Sequence, residues 1–102
     1  MITWITGESG AGKSTLARKL KDNHDIWLDA DELRPIISKG LGFSDKDRLE
    51  NNINFARLAK VLSDQGHDVI VSTICPTDKI KQEVYWICKC RFIEIRGKFD
   101  AI

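Results

Sequence analysis

Apolar positions in this chain alternate between short solid runs and stretches where they recur every three or four residues. Ile2-Thr3-Trp4-Ile5 is β-branched and aromatic and meets Gly7 two residues on, which predicts a buried strand entering a turn. Leu16, Ala17 and Leu20 sit at helical spacing and predict a helix from Lys13 to Lys21. Ile26-Trp27-Leu28 predicts a second strand, ended by Asp29-Ala30-Asp31. A short helix should then run past Leu33, with Pro35 tolerated only in its first turn, where a missing N–H costs nothing.

After the loop Gly40-Leu41-Gly42-Phe43, the segment Ser44 to Asp47 offers cap residues to the longest helix. Leu49, Ile53, Ala56, Ala59 and Leu62 trace its apolar face, and Gly66 is its natural stop. Asp68 to Thr73 contains the strand core Val69-Ile70-Val71. Pro76 and Thr77 open a fourth helix with Ile80, Val84 and Ile87 inward, and Phe92 to Ile95 forms a last strand. Strands that alternate with helices and do not themselves alternate apolar with polar predict an α/β fold: a parallel sheet of about four strands, with helices on both faces. Crossovers should be right-handed, and ligands should sit beyond the carboxyl ends of the strands, just after Ile5, Leu28, Thr73 and Ile95.

At 102 residues the chain is expected to be one domain, residues 1 to 102. The net charge of +1 gives no ground for nucleic acid or an acidic membrane as a partner, so any anion must be bound locally. No apolar run approaches the roughly 20 residues needed to cross a bilayer, and Met1 to Ile5 lacks the charged start of a signal peptide; the expected location is cytoplasmic. Cys75, Cys88 and Cys90 are odd in number and lack zinc-finger spacing, which suits a reducing compartment. Cys88-Lys89-Cys90 has the look of half a metal site, but no His or second Cys pair lies nearby, so the cysteines read as small apolar residues.

Gly7-Glu8-Ser9-Gly10-Ala11-Gly12-Lys13-Ser14 fits G-x-x-x-x-G-K-[ST] at every fixed position, between a strand and a helix as that pattern requires. The glycines let successive N–H groups point inward at a phosphate chain with no Cβ in the way. Lys13 then reaches the β- and γ-phosphates, Ser14 contributes a hydroxyl to Mg²⁺, and the helix that carries Ser14 and Thr15 adds its amino-terminal dipole. A dinucleotide fingerprint fits less well, because Gly7, Gly10 and Gly12 are spaced three and two apart. The sheet is therefore expected to be of P-loop NTPase type, with ATP and Mg²⁺ as ligands.

Asp29 and Asp31 lie at the ligand edge with Arg34 following. Such carboxylates suit a proton acceptor or a metal partner, and they suit the start of a helix equally well. The stretches WITGESGAGKSTLA, LDADELR, LGFSDKDRLEN and VIVSTICP, in this order and spacing, resemble the motif series of the adenylyl-sulfate kinase family. The resemblance covers roughly residues 2 to 76 and implies an ATP-dependent kinase acting on the 3′-hydroxyl of adenylyl sulfate, in sulfate assimilation. It implies that Asp31 serves as base or metal partner, with Asp29 close by. Arg34, Arg48 and Asn51 would hold the phosphosulfate acceptor, and Phe43 would stack on its adenine. Without the resemblance, Arg48 and Asn51 fit a solvated helix face and Phe43 a core anchor.

The fit is incomplete. Cys75-Pro76-Thr77-Asp78 stands where the family has Ser-Pro-Tyr-Arg, and Asn52, Ile53 and Asn54 stand where arginines usually point towards the substrate. The family's basic lid and its Phe-Thr-Gly segment are not recognisable in the sequence, so a member reduced at its carboxyl end is expected, with weaker catalysis and a path to ATP hydrolysis. Two other readings remain open. One is a P-loop kinase for another hydroxyl, on a nucleotide, a sugar or a polynucleotide end; the other is a nucleotide-binding module without transfer. The edge strand near the carboxyl end invites pairing with a second copy as a homodimer.

Overall fold

The computed structural model describes residues 1–7, 12–21, 26–74 and 77–95. In chain order they form β1 (Ile2–Gly7), α1 (Lys13–Lys21), β2 (Ile26–Asp29), α2 (Ala30–Ile37), α3 (Asp45–Asp64), β3 (Val69–Thr73), α4 (Asp78–Cys88) and β4 (Arg91–Ile95). The four strands make one sheet in the order β2-β3-β1-β4, with every pairing parallel. Trp4 is the register point of the centre, opposite Val71 on one side and Phe92 on the other.

Successive side chains leave a strand on opposite faces, and here both faces are apolar, which is why the strands read as solid runs. Ile2, Trp4, Leu28, Val69 and Val71 join the larger core under α2, α3 and α4. Ile5 and Ile70 point the other way and pack with Ala17, Leu16, Leu20 and Trp27 beneath α1. The sheet is thus covered on both faces, as expected. Among the described residues no helix is long and apolar enough to cross a membrane.

The longest helix has the predicted limits for local reasons. The Ser44 hydroxyl accepts from the Asp47 N–H at 3.2 Å and caps the start. At the end, Gly66 takes φ +95°, its N–H reaches the Ser63 carbonyl at 3.0 Å, and the His67 N–H reaches Leu62 at 3.2 Å, a Schellman closure. It buries most of the expected face but is turned enough to leave out one member and take in others. Asn52, Phe55, Ala56 and Ala59 are the deep positions, Leu49 and Leu62 pack at the margin, and Ile53 is only half-buried outside the core clusters. Both stripes have helical spacing, and the sequence hid the deeper one because it contains an asparagine. Phe55 is fully buried. Phe55→Ala is expected to lower stability by about 3–5 kcal/mol, read as a shift in the urea midpoint, whereas a loss below about 1 kcal/mol would place Phe55 outside the core.

A second correction concerns Pro35, which lies in the second turn of α2 and not the first. The helix starts at Ala30, directly off β2, because Asp29 acts as its N-cap, and this start sets Pro35 too far in. The cost is limited because α2 is only eight residues long and closes at once, with the Ser38 N–H on the Arg34 carbonyl at 2.9 Å.

Candidate active site

The phosphate-binding side is built where β1 delivers the chain to α1. Gly12 takes φ +100°, a conformation that favours glycine, and its carbonyl accepts the Leu16 N–H at 3.0 Å to start the helix. Lys13 follows at once, its side chain turned back so that Nζ donates to the Gly7 carbonyl at 2.9 Å. Burial pushes the Lys13 pKa below its ordinary value, while the nearby carboxylates of Asp31 and then Asp29 oppose that shift. The lysine is thus held in a half-desolvated place facing two acids. Glu8, Ser9, Gly10 and Ala11 lie outside the described residues.

Gly12, Lys13, Ser14, Thr15, Asp29, Asp31 and Ser72 line a cavity of about 270 Å³ at the carboxyl edge of the sheet. Ser72 was not anticipated. It arrives from the end of β3, and its hydroxyl accepts from Trp27 Nε1 at 2.9 Å, which ties the β2 and β3 ends together below the cavity. An indole two positions before an acid, with a serine three before the next loop, is too weak a signal to have been read from sequence.

Asp29 serves two ends. Its Oδ1 accepts the Asp31 N–H at 3.1 Å as the N-cap of α2, and its side chain also lines the phosphate cavity. The helix start is thus observed, and the same residue also stands on the cavity. Asp31, one turn-step on and exposed, lines that cavity and also the two on its other side. One, of about 80 Å³, is bounded by Asp31, Arg34, Phe43, Arg48, Asn51 and Asn52, with Ala30 and Ile74. The other, of about 440 Å³, shares Asp31, Arg34 and Phe43 and continues along Ser38 to Leu41.

Phe43 is 73% exposed, so it is no core anchor. The Arg34 guanidinium carbon stands 4.3 Å above its ring, and the same guanidinium donates to the Gly42 carbonyl. Gly42 in turn gives its N–H to Asp47 Oδ2 at 2.8 Å, and a Cβ at this position would come within 3.2 Å of that oxygen. Asp47 is thus both capped by Ser44 and the anchor of the loop that presents Phe43. Arg48 is half-buried beside it. Asn51 is only 7% exposed, not on a solvated face, and its Oδ1 has no hydrogen-bond partner. A buried acceptor in that state costs stability unless a donor arrives.

The structure therefore brings Lys13, Ser14, Thr15, Asp29 and Asp31 together on one side of Asp31, and Arg34, Phe43, Arg48 and Asn51 on the other. Cys88 and Cys90 are buried in the main core, each 5% exposed, and Cys75 lies outside the described residues. Among the described residues there is no group of three or more metal-ligating His, Cys, Asp or Glu side chains.

Known proteins resemble the chain in sequence and fold. A family profile described as adenylylsulphate kinase matches residues 1–100. The chain belongs to the adenylylsulphate kinase family. The adenylyl-sulfate kinase of Pseudomonas aeruginosa is 46% identical over 81 residues, covering 74% of this chain and 41% of that protein. The probable adenylyl-sulfate kinase of Bacillus subtilis is 42% identical over 106 aligned residues, covering 97% of this chain and 54% of that protein. The chain thus spans about half the length of the curated relatives it matches. Among solved structures, the Mycobacterium tuberculosis APS kinase in complex with AMPPNP and APS superimposes with a TM-score of 0.77 at 35% identity, over 93% of this chain and 60% of that one.

The donor set also suits Mg²⁺. Magnesium takes hard oxygen ligands, usually one or two from protein with the rest from phosphate and water. The Ser14 hydroxyl and the Asp31 carboxylate, both on the phosphate cavity, are the residues that would hold it.

Proposed function

We propose that this chain transfers the γ-phosphoryl group of ATP to the 3′-hydroxyl of adenylyl sulfate. One observation carries the reading: Asp31 stands on the phosphate cavity with Lys13 and Ser14, and also on the cavity of Arg34, Phe43, Arg48 and Asn51. A group between donor and acceptor is where a transfer must occur.

In this reading the loop amides and Lys13 bind the β- and γ-phosphates, and Lys13 exchanges its contact with the Gly7 carbonyl for phosphate oxygens. Mg²⁺, when bound, neutralises charge between those phosphates. Arg48 and Arg34 meet the phosphate and sulfate oxygens of the acceptor, for which planar guanidinium forks are suited. Phe43 offers its free face to the adenine, with Arg34 already on the other, and the Asn51 carbonyl oxygen takes an amino donor from the ligand. The acceptor 3′-oxygen bonds to the γ-phosphorus, the bond from that phosphorus to the β,γ-bridging oxygen breaks, and ADP leaves. Asp31 takes the hydroxyl proton.

The test is ADP release measured with ATP and Mg²⁺ over a panel of acceptors. Release should depend on adenylyl sulfate and saturate with it. Dependence on a nucleotide, sugar or polynucleotide end in its place would move the chain to another kinase specificity, and ATP binding with no acceptor-dependent release would leave a nucleotide-binding module.

A further inference from the structure

Asn51 and Asn52 are neighbours in sequence and opposite in state. Asn51 keeps an unpartnered oxygen, whereas every hydrogen-bonding atom of the Asn52 side chain is engaged. Asn52 is 1% exposed and sits at the inner end of a directed chain. Trp4 Nε1, which can only donate, gives its proton to Thr73 Oγ1 at 2.8 Å. The Thr73 hydroxyl passes its own proton to Asn52 Oδ1 at 2.9 Å. Asn52 Nδ2 then spends its two protons on the Arg48 carbonyl at 2.8 Å and the Ile74 carbonyl at 3.3 Å.

The direction of this chain admits one orientation of the amide. Turned over, Oδ1 would face two carbonyl oxygens, and the Thr73 proton would lose its acceptor. The two carbonyls that Asn52 grips belong to different elements that wall the smaller acceptor cavity: Arg48 one turn back on its own helix α3, and Ile74 where β3 leaves the sheet.

We infer that Asn52 is a positioning residue that sets the spacing of Arg48 and Asn51 from the β3 exit, and so the fit of the acceptor, through the buried chain Trp4–Thr73–Asn52. The inference rests on the acceptor reading of that cavity given above. Asn52 itself is buried, with both amide protons spent and its oxygen held by Thr73, so its effect must pass through its neighbours.

Asn52→Leu and Thr73→Val, singly and together, test it. Asn52→Leu should raise KM for adenylyl sulfate about tenfold, the size of one misplaced charged contact, with KM for ATP unchanged. Thr73→Val should do the same more weakly, because Nδ2 still holds both walls. The double variant should fall short of the sum of the two, since both remove the same chain. A merely structural role would instead lower the active fraction and thermal stability with both KM values unmoved, and that result overturns the proposal. The indole N–H resonance of Trp4, assigned through Thr73→Val, should lose exchange protection in that variant and keep it in Asn52→Leu, where the Thr73 hydroxyl still accepts it. If wild type shows no turnover with adenylyl sulfate, the acceptor reading falls. Asn52 is then judged by a crystal structure of Asn52→Leu, in which an unchanged Arg48 to Ile74 spacing overturns the positioning role and a widened one supports it.

Discussion

Replacing Lys13 by Ala is expected to weaken ATP binding by about 10²-fold or more in calorimetry, and to remove transfer with it, because one buried cation then no longer meets the phosphates. Unchanged ATP affinity would show that the loop is not the nucleotide site. The lysine also sets an alkaline limb. Its folded pKa lies below the ordinary value of 10.5 because burial outweighs the help of Asp31 and Asp29. Activity should therefore fall on the alkaline side at a lower pH than a free lysine would give, and Asp31→Asn should move that limb lower still. The sign for stability follows from proton counting. Between the folded pKa and 10.5 the unfolded chain binds more protons, so the penalty of keeping Lys13 charged is released as pH rises through that window. Lys13→Met should accordingly be more stable than wild type at neutral pH, and the gain should shrink towards pH 10.5.

Asp31→Asn should lower kcat by about 10²- to 10⁴-fold, the range for loss of a general base. The substitution keeps the shape and leaves the cap of α2 intact, since the N-cap is Asp29 and Asp31 contributes only its N–H. Stability should therefore stay near wild type, and a fall in the melting temperature by more than a few degrees would count against a purely chemical role. A kcat within threefold of wild type would leave the transfer to positioning and charge stabilisation by Lys13 and the arginines.

Much of this was legible beforehand, for identifiable reasons. The phosphate loop is readable because backbone N–H groups can cradle phosphate only if glycines stand at set spacings, and the strand and helix around it appeared as forecast. Asp29 and Asp31 were readable because a strand end in a parallel sheet is a ligand edge. The buried face of α3 was only partly read, because apolar spacing counts Ile53 and cannot count Asn52, whose burial depends on Thr73 and Trp4, 21 and 69 positions from their respective partners. Pro35 was misplaced for a related reason: the turn it occupies depends on where the Asp29 cap starts the helix. Local chemistry is written locally, while a polar group satisfied across the sheet is visible only after folding.

Asp31 borders all three cavities at once. In the proposed reading, a ligand that draws the Asp31 side chain towards one cavity changes the charge facing the others, so nucleotide and acceptor would not bind independently. Filling one side alters the electrostatic cost of filling the other, and thermodynamic linkage makes the influence mutual: the factor by which nucleotide changes acceptor affinity is the factor by which acceptor changes nucleotide affinity. In that reading a single carboxylate at a crossroads joins two binding equilibria into one coupled system.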